Sequence, residues 1–378
     1  MNTSLENLFR NLSAVNFAEK DAAIIESEVI ARFEKKLNRK LHDGDPWRQV
    51  LLAFAYFLSL LRSNIDFAGK QNLLRFASEG FLEQLGVLLG VERLEETYAS
   101  TTLEFTLSTT LGTPAHIPAG TRATPGGNIS FATSADLVIP PGELLGRVSA
   151  ICMTAGALGN GFAPGTVNML IDPFPFNSTV QNIKTTSGGA NVEDIEALRE
   201  RIHLAPESFS VAGPAGAYEF WAKTANSLIV DVSVESPNPG EVEIVPLLRY
   251  GEIPSPSILT EVYQKCSDRT RRPLTDHVIV RAPVIKKYDI KLKYWISRNR
   301  AAEEQAIKKR FNEGVGEFEI WQKSVLGRDI NPSQLTKMTM KAGIKRIEVY
   351  EPAHTVLKHF EIGVLDIKEL DYGGLEDD

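Results

Sequence analysis

The order of apolar and polar positions changes along the chain, and each change marks a different kind of element. Near the start, Ile25, Val29, Phe33, Leu37 and Leu41 recur every four positions, while Glu26, Glu28, Lys35 and Lys36 fall off that line. This spacing predicts a helix with one buried face. Asp45-Pro46 then reads as a helix start, a capping side chain followed by proline where the first turn needs no N–H. The helix it opens carries the longest apolar run, 50–61, and is apolar on nearly all sides. Such a helix is covered either by its own domain or by partner chains. The few helices of this segment favour partners, with Phe54, Phe57 and Leu61 at the interface. The run falls short of the roughly 20 residues that cross a bilayer, so a buried helix and no membrane contact are expected.

Past Ser100 the period shortens to two. Leu103, Phe105 and Leu107 alternate with Thr102, Glu104 and Thr106, as on a half-buried strand. Residues 101–190 hold only seven charged side chains, and turn pairs such as Pro125-Gly126-Gly127, Pro140-Pro141-Gly142 and Ala163-Pro164-Gly165 divide them into short strands. Phe174 and Phe176 near its end are either a docking knob or a lid on the core. From Val192 the pattern is mixed: a helix at 192–202, a hinge at Gly213 to Gly216, a helix at 218–225, strands at 229–235 and 241–247, a helix at 255–267 and a strand at 277–280. A second such series follows, with a strand at 288–296, a helix at 301–321, another after Asn331-Pro332-Ser333, and a strand at 346–350. The fold class is therefore multidomain α+β: a helical, partner-binding bundle segment 1–98, a β-rich domain 99–190, an α+β domain 191–284 and a C-terminal α+β domain 285–378. The last two are expected as small ferredoxin-like sandwiches.

Composition narrows the function. At 378 residues the chain exceeds one ordinary core, and its net charge of −7 offers no basic stripe for nucleic acid. Cys152 and Cys266 stand far apart, without the spacing of a disulfide framework or zinc site. Residues 1–10 lack the basic start and apolar core of a signal peptide. Gly159-Asn160-Gly161 starts like a dinucleotide fingerprint but has Pro164 at the third glycine position. His354 and His359 are five apart, poor spacing for one face, and Glu303-Glu304 point in different directions on a helix. No catalytic, cofactor or metal site is expected. Charge does separate locally: 285–350 holds 15 basic and 8 acidic residues, and 351–378 holds 2 and 8. This asymmetry is either solvated surface or a head-to-tail contact in which Lys308, Lys309 and Arg310 face the acidic end of another copy.

Six short segments then stand in a telling order: Ala77-Ser-Glu-Gly-Phe-Leu-Glu-Gln-Leu-Gly-Val-Leu-Leu-Gly-Val-Glu-Arg93, Ile117-Pro-Ala-Gly-Thr121 followed by Phe131-Ala-Thr133, Gly156-Ala-Leu-Gly-Asn160, Ala163-Pro-Gly-Thr166, Ser187-Gly-Gly-Ala-Asn-Val-Glu193, and Leu198-Arg-Glu-Arg-Ile202. Each alone is weak, but in this order they resemble the baseplate J-like family, the wedge proteins of contractile phage tails and tailocins. Arg199 and Arg201, on a helix dense in Glu193, Asp194, Glu196 and Glu200, either staple adjoining domains through carboxylate pairs or lie on a solvated face.

The resemblance implies a structural, non-enzymatic protein of a virion or tailocin particle, assembled in the bacterial host cytoplasm. It implies two copies in each wedge, joined with a smaller helical wedge partner and a sheath-initiator-like wedge protein. Six wedges would form a ring around the central spike or hub, and its widening would release the sheath to contract. The alternative from another class is a receptor-binding or adhesin module, for which the β domain alone could pass.

Overall fold

In the computed structural model the described residues are Phe9 and residues 12–176, 178–210 and 212–377. Of the first ten residues, read above for a signal peptide, only Phe9 is among them. The chain divides into two compact units, Met1–Arg93 with Asp194–Ala205, and Leu94–Glu193 with Pro206–Asp378.

The first unit is helical. Helix α1 (Ala22–Leu37) is capped by Asp21, which accepts from the Ala23 N–H at 2.9 Å, and ends on Asn38 in the left-handed region. Helix α2 (Pro46–Lys70) starts as the Asp45-Pro46 pair predicts, with Asp45 accepting from the Trp47 N–H at 2.9 Å. Helix α3 (Glu79–Val87) follows, and α4 (Ile195–Leu204) joins it from more than a hundred residues later in the chain. Leu82, Leu198 and Ile202 are buried, and a Cβ at Gly86 would meet the Ile202 side chain at 3.2 Å and the Val91 carbonyl at 2.7 Å. Asp66 ties the preceding segment to α2: its carboxylate accepts from Lys20 and Lys70 at 2.7 Å each and from the Phe17 N–H at 3.0 Å. The Lys20 bond, then Lys70, then the Phe17 amide hold its pKa well below the usual carboxylate range. With the folded pKa depressed, this tie is fully present above about pH 4 and is lost only as the pH falls through the lowered value. Amide exchange in 12–20 is therefore expected to stay slow through mild acid; acceleration already at pH 5 contradicts the assignment.

In the second unit, strands β1 (Tyr98–Leu107), β2 (Ala115–Ile117), β3 (Arg122–Gly126), β4 (Ile129–Thr133), β5 (Leu137–Ile139), β6 (Leu145–Ala155), β7 (Met169–Leu170) and β8 (Ser178–Asn182) build the middle domain. Six of them form one sheet in the order β7-β3-β4-β6-β1-β8, while β2 and β5 pair antiparallel. The end strands β7 and β8 approach one another, so the sheet is a nearly closed barrel. The core is filled by Leu103, Phe105 and Phe131 from this sheet and by Ile117 and Ile139 from the β2–β5 pair. Phe174 stacks on Phe176 at 5.2 Å and meets Phe105 edge-on, so the pair packs against this core.

Two three-stranded sheets follow. Helix α5 (Ala215–Lys223), β9 (Ile229–Glu235), β10 (Glu241–Leu248), α6 (Pro256–Cys266) and β11 (His277–Val280) form the first, with β9 antiparallel and β11 parallel to the central β10. Then β12 (Val284–Ser297), α7 (Glu304–Gln322), α8 (Pro332–Met340), β13 (Arg346–Glu351) and β14 (Glu361–Glu376) form the second, with β12 central. Each sheet has three strands, where the ferredoxin-like pattern has four. Most of the acidic end, 351–378, is the 16-residue strand β14, running parallel to β12. The expected hinge is a packed corner: Gly213 has a positive φ of 78°, and a Cβ there would lie 2.8 Å from Pro273. Nearby, the Tyr218 hydroxyl donates to Asp276 at 2.7 Å.

Candidate interaction sites

Helix α2 carries a long uncovered apolar stripe. Only Ala55 and Asp66 on it are buried. Phe54 and Phe57 are 64% and 63% exposed, and Trp47, Val50, Leu61 and Ile65 are exposed beside them. The spacing from Trp47 through Val50, Phe54 and Phe57 to Leu61 is three, four, three, four, the repeat of a seam that receives a second helix. The helix is thus not buried within its own chain, which corrects the first of the two sequence readings. It also runs to Lys70, beyond the apolar run, and by length and composition passes as a membrane span. Between Arg48 and Arg62, however, only 13 uncharged residues intervene. At 1.5 Å each they cover about 20 Å, short of the roughly 30 Å of hydrocarbon.

Arg199 and Arg201 point inward, 7% and 3% exposed. Arg199 donates to the carbonyls of Leu74 and Ala77, the latter at 3.0 Å, and to Glu196 at 3.2 Å; Arg201 donates to the Glu92 carbonyl at 2.6 Å. Three of these acceptors are main-chain carbonyls on either side of α3, so the two side chains pin α4 within its own unit. Arg199→Ala is expected to destabilise that unit by about 1.5–3 kcal/mol, the scale for a charged hydrogen bond. Thermal unfolding measures it, and an unchanged melting curve refutes the role.

The glycine-rich segments meet at one place. Asn160 accepts from the Gly189 N–H at 2.9 Å and donates to the Gly189 carbonyl at 2.7 Å. Asn191 accepts from the Ala157 N–H at 3.0 Å, and its own carbonyl accepts from Ser227 Oγ at 2.9 Å. Gly156 and Gly188 have positive φ of 93° and 94°. The segment Ile117–Thr121 is locked in the same manner to Phe131–Thr133, with Gly120 N–H donating to the Thr133 carbonyl at 2.7 Å and Thr121 Oγ1 to Pro118 at 2.7 Å. The sequence reading missed Asn182. Buried, it donates to the carbonyls of Ala163 and Lys184 at 2.9 Å each and accepts from the Val167 N–H at 2.9 Å.

The basic cluster is engaged within its own domain. Lys308 pairs with Glu304 at 2.6 Å and lies 3.6 Å over the Tyr372 ring, and Arg310 sits 3.6 Å from Glu303. The acids of β14 and its end pair likewise, Asp366 with Lys287 at 3.1 Å and Glu376 with Arg346 at 3.0 Å. The opposite charges on 285–350 and 351–378 therefore meet within one sheet, Lys287 on β12 beside β14 and Arg346 on β13 reaching β14 past the central β12. Lys309 and Arg310 remain exposed. His354 lies 3.9 Å from Asp329, and among the described residues no three potential metal ligands converge.

Comparison with known proteins places this architecture. Residues 102–189 match the family model of the Baseplate J-like protein barrel domain, and 210–282 that of the Baseplate J-like central domain. Baseplate protein J of Escherichia phage P2 is 32% identical over 167 residues, 43% of this chain and 53% of the relative, so the match spans about half of the relative's length. Among solved structures, the six-fold symmetrised cryo-EM structure of the anti-feeding prophage baseplate aligns over 90% of each chain at 12% identity and a TM-score of 0.43. Residues 102–189 and 210–282 thus carry the barrel and central domains of the baseplate J-like family.

Proposed function

We propose that the protein is a non-enzymatic structural component of a contractile tail baseplate, in a phage or tailocin particle, and that it acts there as a wedge protein. The observation that carries the wedge reading is the uncovered three-four seam of α2. A chain that leaves Trp47, Phe54, Phe57 and Leu61 exposed has an apolar stripe matched to another helix. The occupant under this reading is the smaller helical wedge partner, which bundles with residues 1–98. A sheath-initiator-like wedge protein completes the wedge, two copies of this chain stand in each, and six wedges ring the central spike and widen on triggering. Co-expression with the neighbouring tail proteins tests this, followed by mass measurement of the complexes. Wedge-sized hetero-oligomers are expected; a trimer of this chain alone would overturn the reading.

Ring closure falls to the C-terminal domain, 285–378. Lys308, Lys309 and Arg310 flank its exposed helix surface, although Lys308 and Arg310 have acidic neighbours in their own chain. Only salt-screened, individually weak contacts are available there. Reversing all three to glutamate is expected to slow wedge-to-wedge joining severalfold at low salt and to leave each wedge intact. Rings formed at the same rate and with the same salt dependence would remove this surface from the interface.

A further inference from the structure

The two α+β domains share more than a linker. Only Arg281, Ala282 and Pro283 separate β11 from β12. Val245 and Leu247 on β10 form a buried cluster with Leu326 and Ile362 of the C-terminal domain. Beside it, Asp231 on β9 is buried and its Oδ2 accepts from the Leu326 N–H at 2.8 Å. Arg281 pairs with Glu243 through two bonds of 2.6 and 2.7 Å and lies 4.2 Å over the Phe360 ring. Gly251, with φ of 75°, packs where a Cβ would lie 2.8 Å from the Lys323 carbonyl.

We infer that residues 215–377 move as a single rigid lever whose joint is closed by the carboxylate of Asp231. Adjacent domains move relative to one another by default unless their interface is well buried and apolar. Here opening exposes four buried aliphatic side chains and separates a buried carboxylate from the amide it serves, so an open state is not populated. Burial pushes the Asp231 carboxyl above its ordinary range, while the Leu326 amide and the positive charge of Lys223 oppose that. A displacement applied at the β13–β14 end therefore reaches α5 and β9 undiminished, and any hinge used in contraction lies outside this body.

Spin labels at Tyr263→Cys on α6 and Ile320→Cys on α7 test this, since both positions are exposed and the chain's own Cys152 and Cys266 are buried. Pulsed electron–electron distance measurement on the purified full chain is expected to give one narrow distance, unchanged in particles before and after contraction. A broad or two-valued distribution in the free chain overturns the lever whatever the protein assembles into. So does a shift between the two particle states. The particle arm rests on the baseplate reading: if the labelled chain enters no particle, that reading fails, and the free-chain distance alone decides the lever. Asp231→Ala should broaden the distance while Asp231→Asn, which keeps an acceptor for Leu326, should leave it narrow. Equal, narrow distances in both variants would overturn the assignment to Asp231.

Discussion

Replacing Phe54 and Phe57 by aspartate is expected to leave the isolated chain folded and to abolish its entry into the assembly. Both rings are mostly in solvent, so their loss removes little from the chain's own core, and surface substitutions of this kind shift stability by about 0.5 kcal/mol or less. In a seam shared with another helix, each aspartate would bury a charge without a counter-ion, at a cost of several kcal/mol. Since about 1.4 kcal/mol is tenfold in affinity, the double variant should bind its partner at least a hundredfold more weakly. Circular dichroism melting of the chain and native mass measurement of co-expressed complexes separate the two effects. Normal assembly would show that this stripe faces no partner.

Gly189→Val is expected to be the most damaging single change in the barrel domain. A Cβ at this position would lie 2.4 Å from the Gly156 carbonyl oxygen and 3.0 Å from the Ala99 nitrogen, both main-chain atoms that cannot swing aside. The cost should reach the upper end of overpacking, about 3 kcal/mol, a large share of the roughly 5–15 kcal/mol that holds a domain folded. At roughly 2–4 °C per kcal/mol for a body of this size, the melting temperature should fall by about 10 °C. The control is Gly316→Ala on α7, where a Cβ meets nothing within 4 Å and helix propensity should add roughly 0.5–1 kcal/mol. Equal melting of Gly189→Val and the parent chain would contradict the clasp geometry.

Local pattern carried much of this fold, and its limits have physical causes. Strand β1 was readable because Leu103, Phe105 and Leu107 alternate into a core that covers one face. Helix starts were readable where capping chemistry is local, as at Asp45-Pro46. Strand β14 was not, because its register shifts twice against β12 and charged residues such as Lys368, Glu369 and Asp371 break any period of two. The order of the glycine segments pointed to the family, yet their shared clasp through Asn160 and Gly189 joins residues 29 apart and has no local signal. Arg199 and Arg201 were singled out from the sequence, but the main-chain carbonyls that accept from them, those of Leu74, Ala77 and Glu92, lie more than a hundred positions away and carry no side-chain signature. Gly213 shows the opposite failure: glycine spacing suggested freedom where close packing against Pro273 demands it for fit.

The return of α4 to the helical unit bears on how the chain is made and how it can be cut. The ribosome delivers α1, α2 and α3 first, then the whole barrel, and only then the helix that buries Leu198 and Ile202. Until residue 205 has emerged, that first unit waits with an open apolar face, a non-local closure that slows folding and invites nascent-chain association. Amputating residues 1–98 would strip α4 of its packing and remove the Leu74, Ala77 and Glu92 carbonyls to which Arg199 and Arg201 donate, so a truncated product would fail for reasons unrelated to any partner. Point changes on the outer stripe of α2 question the partner without breaking the chain, and a fragment meant to preserve the helices must run through Ala205.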